Sequence, residues 1–213
     1  MKLAVIAANG QAGKAIVEEA VKRGHEVTAI VRSENKSQAE SIIKKDLFEL
    51  TKDDLTGFDA VISAFGAYTP DTLPLHSKSI ELFNQLLAGT QTRFLVVGGA
   101  GSLYIDETKT TRLLDTSDFP EEFKSLAKAQ ADELDLLRTK NNLNWTFVSP
   151  AVDFIPDGEK TGNYILAGEI FTTIFTTNGK GISQISYADY AIGLVDELEK
   201  GHHIKERISL LEK

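Results

Sequence analysis

Residues 2–32, KLAVIAANGQAGKAIVEEAVKRGHEVTAIVR, constrain the fold more than any other stretch. Leu3-Ala4-Val5-Ile6-Ala7 is a short continuous apolar run, the pattern of a strand buried on both faces of a parallel sheet. Ala8-Asn9-Gly10-Gln11-Ala12-Gly13 follows, and apolar residues then recur at helical spacing through Ala12, Ala15, Ile16, Ala20 and Val21. Gly24 stands where a helix end takes a glycine, and Glu26 to Val31 reads as a second strand. The first N–H groups of a helix lack intrahelical acceptors and its dipole favours an anion, so this unit is suited to a nucleotide phosphate. Gly10 lets the backbone approach a pyrophosphate and Gly13 lets the helix pack close to the strand; Ala7 stands where a three-glycine version carries its first. Arg32 ends the second strand, 19 residues after Gly13. An NAD site usually has a carboxylate there for the ribose 2′-hydroxyl, whereas an arginine pairs with a 2′-phosphate. With Ser33 and Lys36 near it, the segment predicts NADP(H) ahead of NAD(H).

The alternation continues. Ile42-Ile43 is a weak third strand, Asp59 to Gly66 a fourth, Arg93 to Gly99 a fifth and Trp145 to Val148 a sixth. Helical patterns run from Leu73 to Leu87 and from Pro120 to about Lys140, the latter with Glu121-Glu122 suited to a helix start. Parallel strands need crossover helices, so the chain is expected to be α/β, a doubly wound parallel sheet of Rossmann type. Its ligand should lie at the C-terminal ends of the strands. After Pro150 the texture changes to glycine-punctuated short runs such as Tyr164-Ile165-Leu166 and Glu169-Ile170-Phe171. A helix from Tyr187 to Glu199 and a strand at 208–211 follow. Residues 1–213 are therefore expected to form one domain, with 151–213 a small C-terminal cap over the substrate side.

Composition narrows the partners. A net charge of −8 argues against nucleic acid and against an anionic membrane surface. The absence of cysteine excludes disulfides, thiolate zinc sites and cysteine nucleophiles. The N-terminal apolar run is too short for a signal peptide, and no stretch approaches a membrane span, so a cytoplasmic protein is expected. His25 and His76 read as surface histidines, and His202-His203 have no third ligand spaced for a metal.

Several segments carry a family resemblance: Ala7 to Gly13, Val31-Arg32, Asp59 to Gly66, Val96 to Leu103, Trp145 to Ala151 and Ile185 to Ala191. In order and spacing the chain resembles the atypical short-chain dehydrogenase/reductases, in the group with NmrA-like and biliverdin-reductase-B-like proteins, and within it the NAD(P)H–flavin reductases. The resemblance implies cofactor contacts from Ala8, Asn9, Gly10, Gln11, Ala12, Gly13 and Arg32. It places Asp46 and Leu47 beside the adenine, and Ala64, Phe65 and Gly66 along the cofactor. Gly98, Gly99 and Ser102 fall near the nicotinamide, with Pro150, Ala151 and Val152 closing that end.

One departure matters. Many members of the wider superfamily use a Tyr-x-x-x-Lys pair on the helix after the fifth strand. Here Lys128 aligns with the lysine, but Lys124 occupies the tyrosine position. Ser102 and Lys128 are the candidate catalytic side chains, and the usual proton relay is incomplete. Hydride transfer to a flavin or quinone asks less of the protein, because the acceptor ring need only be bound and aligned. Tyr68, Tyr104 and Phe154 are the candidates to stack on it. A reductase of a ring acceptor is the expected function. The alternatives are a non-catalytic NADP(H)-binding redox sensor of the NmrA type and, last, a nucleotide-sugar epimerase or dehydratase. The pattern leaves a homo-oligomer open.

Overall fold

A computed structural model describes residues 1–176 and 179–213. The chain opens with β1 (Lys2–Ile6), α1 (Gln11–Lys22), β2 (Glu26–Val31) and β3 (Ser41–Lys44). Next come α2 (Lys52–Leu55), β4 (Ala60–Ser63), α3 (Leu75–Leu87), β5 (Arg93–Val97), α4 (Glu121–Arg138) and β6 (Asn144–Pro150). The remainder contains β7 (Asp153–Ile155), β8 (Tyr164–Ala167), β9 (Ile174–Phe175), β10 (Gly181–Ile182), β11 (Gln184–Ser186), α5 (Tyr187–Lys200) and β12 (Glu206–Glu212).

Eight of these strands form one sheet in the order β3-β2-β1-β4-β5-β6-β12-β8. Every pairing is parallel except that of β12 with β8. The crossover reverses between β1 and β4, which is where a doubly wound sheet leaves a crevice at its strand ends. The central strands are buried on both faces, as their unbroken apolar runs require. One face packs against α1 and α5 through Ile16, Val17, Leu194 and Val195. The other packs against α3 and α4 through Ile80, Phe83, Leu134 and Leu137.

The expectation of a cap at 151–213 needs correction. β12 is an interior strand of the main sheet, between β6 and the edge strand β8. α5 belongs to the helical layer beside α1, held to β6 by the Tyr190 hydroxyl, which donates to the Val148 carbonyl at 2.7 Å. Only β7 with β11 and β9 with β10 stand outside the sheet, as two small pairs. The run Glu169-Ile170-Phe171 is not a strand; Ile170 makes a single bridge to Tyr104.

The histidine expectations also change. His76 is 1% exposed, between the Ala67 carbonyl (3.1 Å) and the Glu133 carboxylate (3.2 Å). His25 is largely covered and lies 2.9 Å from Glu199 of α5. Both sit at element starts whose polar neighbours hid the partner that tertiary packing supplies.

Candidate functional site

The turn after β1 is built around a strained residue. Ala7 has a left-handed backbone, φ +56°, and its carbonyl accepts from Gly10 N–H at 2.8 Å. That tight turn swings α1 onto the strand end. A side chain at Gly13 would collide with the Ala7 carbonyl and stand 2.9 Å from Ala8 Cα, so only glycine permits this approach. Lys14 N–H is the first in α1 with a helical partner, the Gly10 carbonyl at 2.9 Å. The N–H groups of Gln11, Ala12 and Gly13 therefore have no intrahelical acceptor. Gly10 supplies no side-chain cap, and α1 has no acid in its first turn. By contrast, α2 has a capping box, α4 starts with two glutamates, and Ser186 caps α5. The start of α1 thus presents unpaired N–H groups and no acid, the setting in which a helix favours an anion.

Arg32 follows β2 on the same side of the sheet. Its side chain is 82% exposed and only loosely paired to Asp46, at 3.9 Å, which leaves the guanidinium available to a phosphate. Asp46 itself caps a short turn at Leu47–Glu49, accepting from Phe48 N–H at 2.9 Å. Leu47 is buried in the core beside it.

Asn9 does something the sequence did not disclose. Its amide donates to the Glu34 carbonyl (2.8 Å) and to Ser33 Oγ (3.3 Å), and its carbonyl accepts from Lys36 N–H at 2.6 Å. It braces the loop carrying Ser33 and Lys36 against the glycine turn, so its side chain positions the site and is not free for a ligand.

At the end of β4, Ala64, Phe65 and Gly66 are half-buried along the groove. Tyr68 folds back so that its phenol covers the space a side chain at Gly66 would take, and the residue is 75% exposed. At the end of β5, Gly98 and Gly99 pack closely on the protein beneath them. A side chain at 98 would enter the Phe147 ring, and one at 99 would enter the Gln130 amide. At the end of β6, Pro150 and Ala151 are buried and Val152 is half-exposed. Beyond them Phe154 stacks on Tyr187, ring centroids 3.7 Å apart and 22° from parallel.

Three expected residues lie elsewhere. Lys128 is on the solvent face of α4, paired to Asp132 at 2.9 Å, because Ala127, Ala131 and Leu134 form the inward stripe. What α4 turns toward the β5 loop is Ala127, against Gly101, and Gln130, against Gly99. The Ser102 hydroxyl is buried and accepts from the Arg207 guanidinium at 3.4 Å. Arg207 also donates to the Ser102 carbonyl and is held by Glu169 at 2.5 Å. Tyr104 lies under the Arg112 guanidinium, 5.9 Å from ring centre, with its backbone joined to Glu169 and Phe171. All three serve packing or ion pairing. Tyr187 is the residue the sequence reading omitted, although it lies within the Ile185 to Ala191 segment.

Two open clefts lie away from these strand ends. One of about 560 Å³ includes Lys2, His25, Thr28 and Phe58 at the opposite end of the sheet. The other, about 520 Å³, includes Trp145, Leu166, Glu169 and Arg207 near the β8 edge. Among the described residues no cluster of three metal-ligating side chains occurs, and no helix is long and apolar enough to cross a membrane.

Comparison with known proteins agrees with this geometry. The model of a family described as NAD(P)H-binding matches residues 7–198. The uncharacterized protein YwnB of Bacillus subtilis (strain 168) is 47% identical over 214 residues, covering 99% of this chain and 98% of its own. A crystal structure of a candidate NADH-flavin reductase from Streptococcus pneumoniae TIGR4 is 97% identical, with TM-score 0.95 and full coverage of both chains. A candidate epimerase from Bacteroides thetaiotaomicron is 36% identical, with TM-score 0.84, covering 99% of this chain and 96% of its own.

Proposed function

From the premise that this chain belongs to the NAD(P)H-binding family of atypical short-chain dehydrogenase/reductases, we propose that it is a reductase that passes hydride from NADPH to a planar ring acceptor, a flavin or a quinone. The observation that carries this reading is the make-up of the pocket mouth. It offers ring faces, from Tyr68, Phe154 and Tyr187, and among the described residues no tyrosine paired with a lysine. Lys128 points to solvent, and the Ser102 hydroxyl is engaged by Arg207. A carbonyl-to-alcohol reduction needs an acid tuned toward neutral pH, and epimerisation of a sugar needs a base; burial and Tyr68 hold the Tyr187 phenol above its ordinary value, fit to donate a hydrogen bond and ill suited to give up its proton. A reduced flavin or quinone can take its protons from water.

When bound, the cofactor supplies the hydride from its reduced nicotinamide. The protein's own part is placement. The free N–H groups of Gln11, Ala12 and Gly13 hold the pyrophosphate, and Arg32 holds the 2′-phosphate. Gly98 and Gly99 let the end of β5 pack closely on Phe147 and Gln130, and the rings of Tyr68, Phe154 and Tyr187 would align a flat acceptor beside it. The S. pneumoniae relative, described as a candidate NADH-flavin reductase, supports the choice of acceptor class.

The test is NADPH oxidation by the purified protein with riboflavin, FMN and menadione. Acceleration by at least one ring acceptor is expected. If NADPH binds and none of them speeds its oxidation, the reductase reading is lost. The cofactor preference has its own test. Arg32→Glu is expected to weaken NADPH binding by about 10- to 100-fold, the value of a charge-assisted contact, and to leave NADH binding within about threefold. Equal effects on both cofactors would remove Arg32 from the 2′-phosphate.

A further inference from the structure

Tyr187 starts α5, directly after β11, and β11 runs parallel to β7 with Ile185 opposite Phe154. Its ring lies on Phe154, and Phe154 in turn meets Tyr190 at 4.8 Å between centroids. Tyr190 is fully buried and bonded to β6, so the stack rests on the rigid core. Across the groove stands Tyr68, its phenol over Gly66. The two tyrosines are electrostatically coupled: burial and then Tyr68 hold the Tyr187 phenol above its ordinary value, so it stays protonated at neutral pH. The strand order makes sense of that coupling. The loop after β4 carries Tyr68, β6 leads into Phe154, and β5 lies between the two strands. Tyr68 and the Phe154–Tyr187 stack thus stand on either side of the end of β5. Neither phenol oxygen has a hydrogen-bond partner among the described residues, and neither is sealed from solvent, so both are open to a ligand.

We propose that Tyr187 is the residue that selects the acceptor: a flat ring with a carbonyl on its edge, held by stacking against the Phe154–Tyr187 pair and by hydrogen bonds from the Tyr187 and Tyr68 phenols. The proposal rests on the reductase reading and adds the recognising chemistry to it. A flavin's pyrimidine edge and a quinone both carry such carbonyls. A ring without them gains the stacking alone.

Tyr187→Phe keeps the stack and removes the phenol; Tyr187→Leu removes both. Riboflavin binding is read by quenching of its own fluorescence, menadione by its KM, and NADPH by its fluorescence on binding. Tyr187→Phe is expected to weaken riboflavin binding and raise the menadione KM by about threefold to tenfold, the value of one neutral hydrogen bond. Tyr187→Leu should lose about tenfold or more as stacking goes too. NADPH affinity should stay within about twofold in both, which also reports that the variants are folded. Unchanged riboflavin and menadione parameters in Tyr187→Leu would overturn the assignment, as would an equal loss of NADPH affinity. Riboflavin that binds the wild type without speeding NADPH oxidation would count against the reductase reading, and the variants' riboflavin affinities would still decide the role of Tyr187.

Discussion

Ala7 shows how one residue can carry strain for a site. A left-handed backbone costs an L-residue about 1–2 kcal/mol, and glycine escapes it. Glycine gives back part of that gain through the freedom of the unfolded chain, about 0.4–1 kcal/mol. Ala7→Gly is therefore expected to stabilise the protein by about 0.5–1 kcal/mol, seen as a midpoint rise of about 1–4 °C in thermal unfolding. A lower midpoint would mean that the Ala7 methyl contributes more in packing than the backbone loses in strain. The shape of the glycine turn and the place of Arg32 just after β2 were legible in the sequence because both are set by local geometry at a strand end. Asn9 was legible as a position but not as a role, since its three partners lie 24 to 27 residues away. Lys128 shows the opposite error. Matching a family spacing placed it in the site, while the apolar stripe Ala127, Ala131, Leu134 on the same helix already put it outside.

Among the elements, α3 and α4 are joined by a group the sequence did not show as a pair. His76, at the start of α3, and Glu133, in α4, are both buried, and His76 also reaches the Ala67 carbonyl in the loop lining the groove. Burial works to lower His76, but the Glu133 carboxylate outweighs it and the net shift is upward. Burial raises Glu133, with His76 only partly opposing. Both groups thus hold protons more tightly in the folded chain than at their ordinary values of 6.5 and 4.5. The folded state then binds more protons than the unfolded one, so the stability this provides is present at low pH and lost as pH rises through the raised values. The clean reference is His76→Leu with Glu133→Leu, which lacks both titrations. The stability of the wild type relative to this double variant, from urea denaturation, should fall between pH 6 and pH 9, by up to about 1.4 kcal/mol per unit for each proton concerned. A difference that is flat or rises would refute the assignment. Either single substitution should cost about 3–5 kcal/mol, because it strands a buried partner.

At the scale of the whole molecule, local patterns gave the alternating elements through β6 but not the place of the last strand. Ile208 to Leu211 reads as a strand from its own residues. Nothing local says that it inserts between β6 and the edge strand β8, since that order is set by pairings 60 residues apart with β6 and 42 to 48 apart with β8. The outcome decides what the tail does. If residues 151–213 only covered a finished sheet, a chain lacking the end of that segment would still fold and bind NADPH. In the observed order, β12 is paired on both sides, and five of its seven residues are buried. Its Arg207 holds Ser102 and Glu169, so the loop after β5 is anchored from this strand. Removing residues 202–213 would leave β6 and β8 with unpaired backbone and half-buried Glu169 with Arg138 as its remaining arginine. A chain ending at Gly201 is accordingly expected to show no cooperative thermal unfolding by circular dichroism and no NADPH binding. Cooperative melting together with NADPH affinity near that of the full chain would return the tail to the part of a cap. It would also mean that the sheet through β6 is sufficient by itself to build the cofactor site.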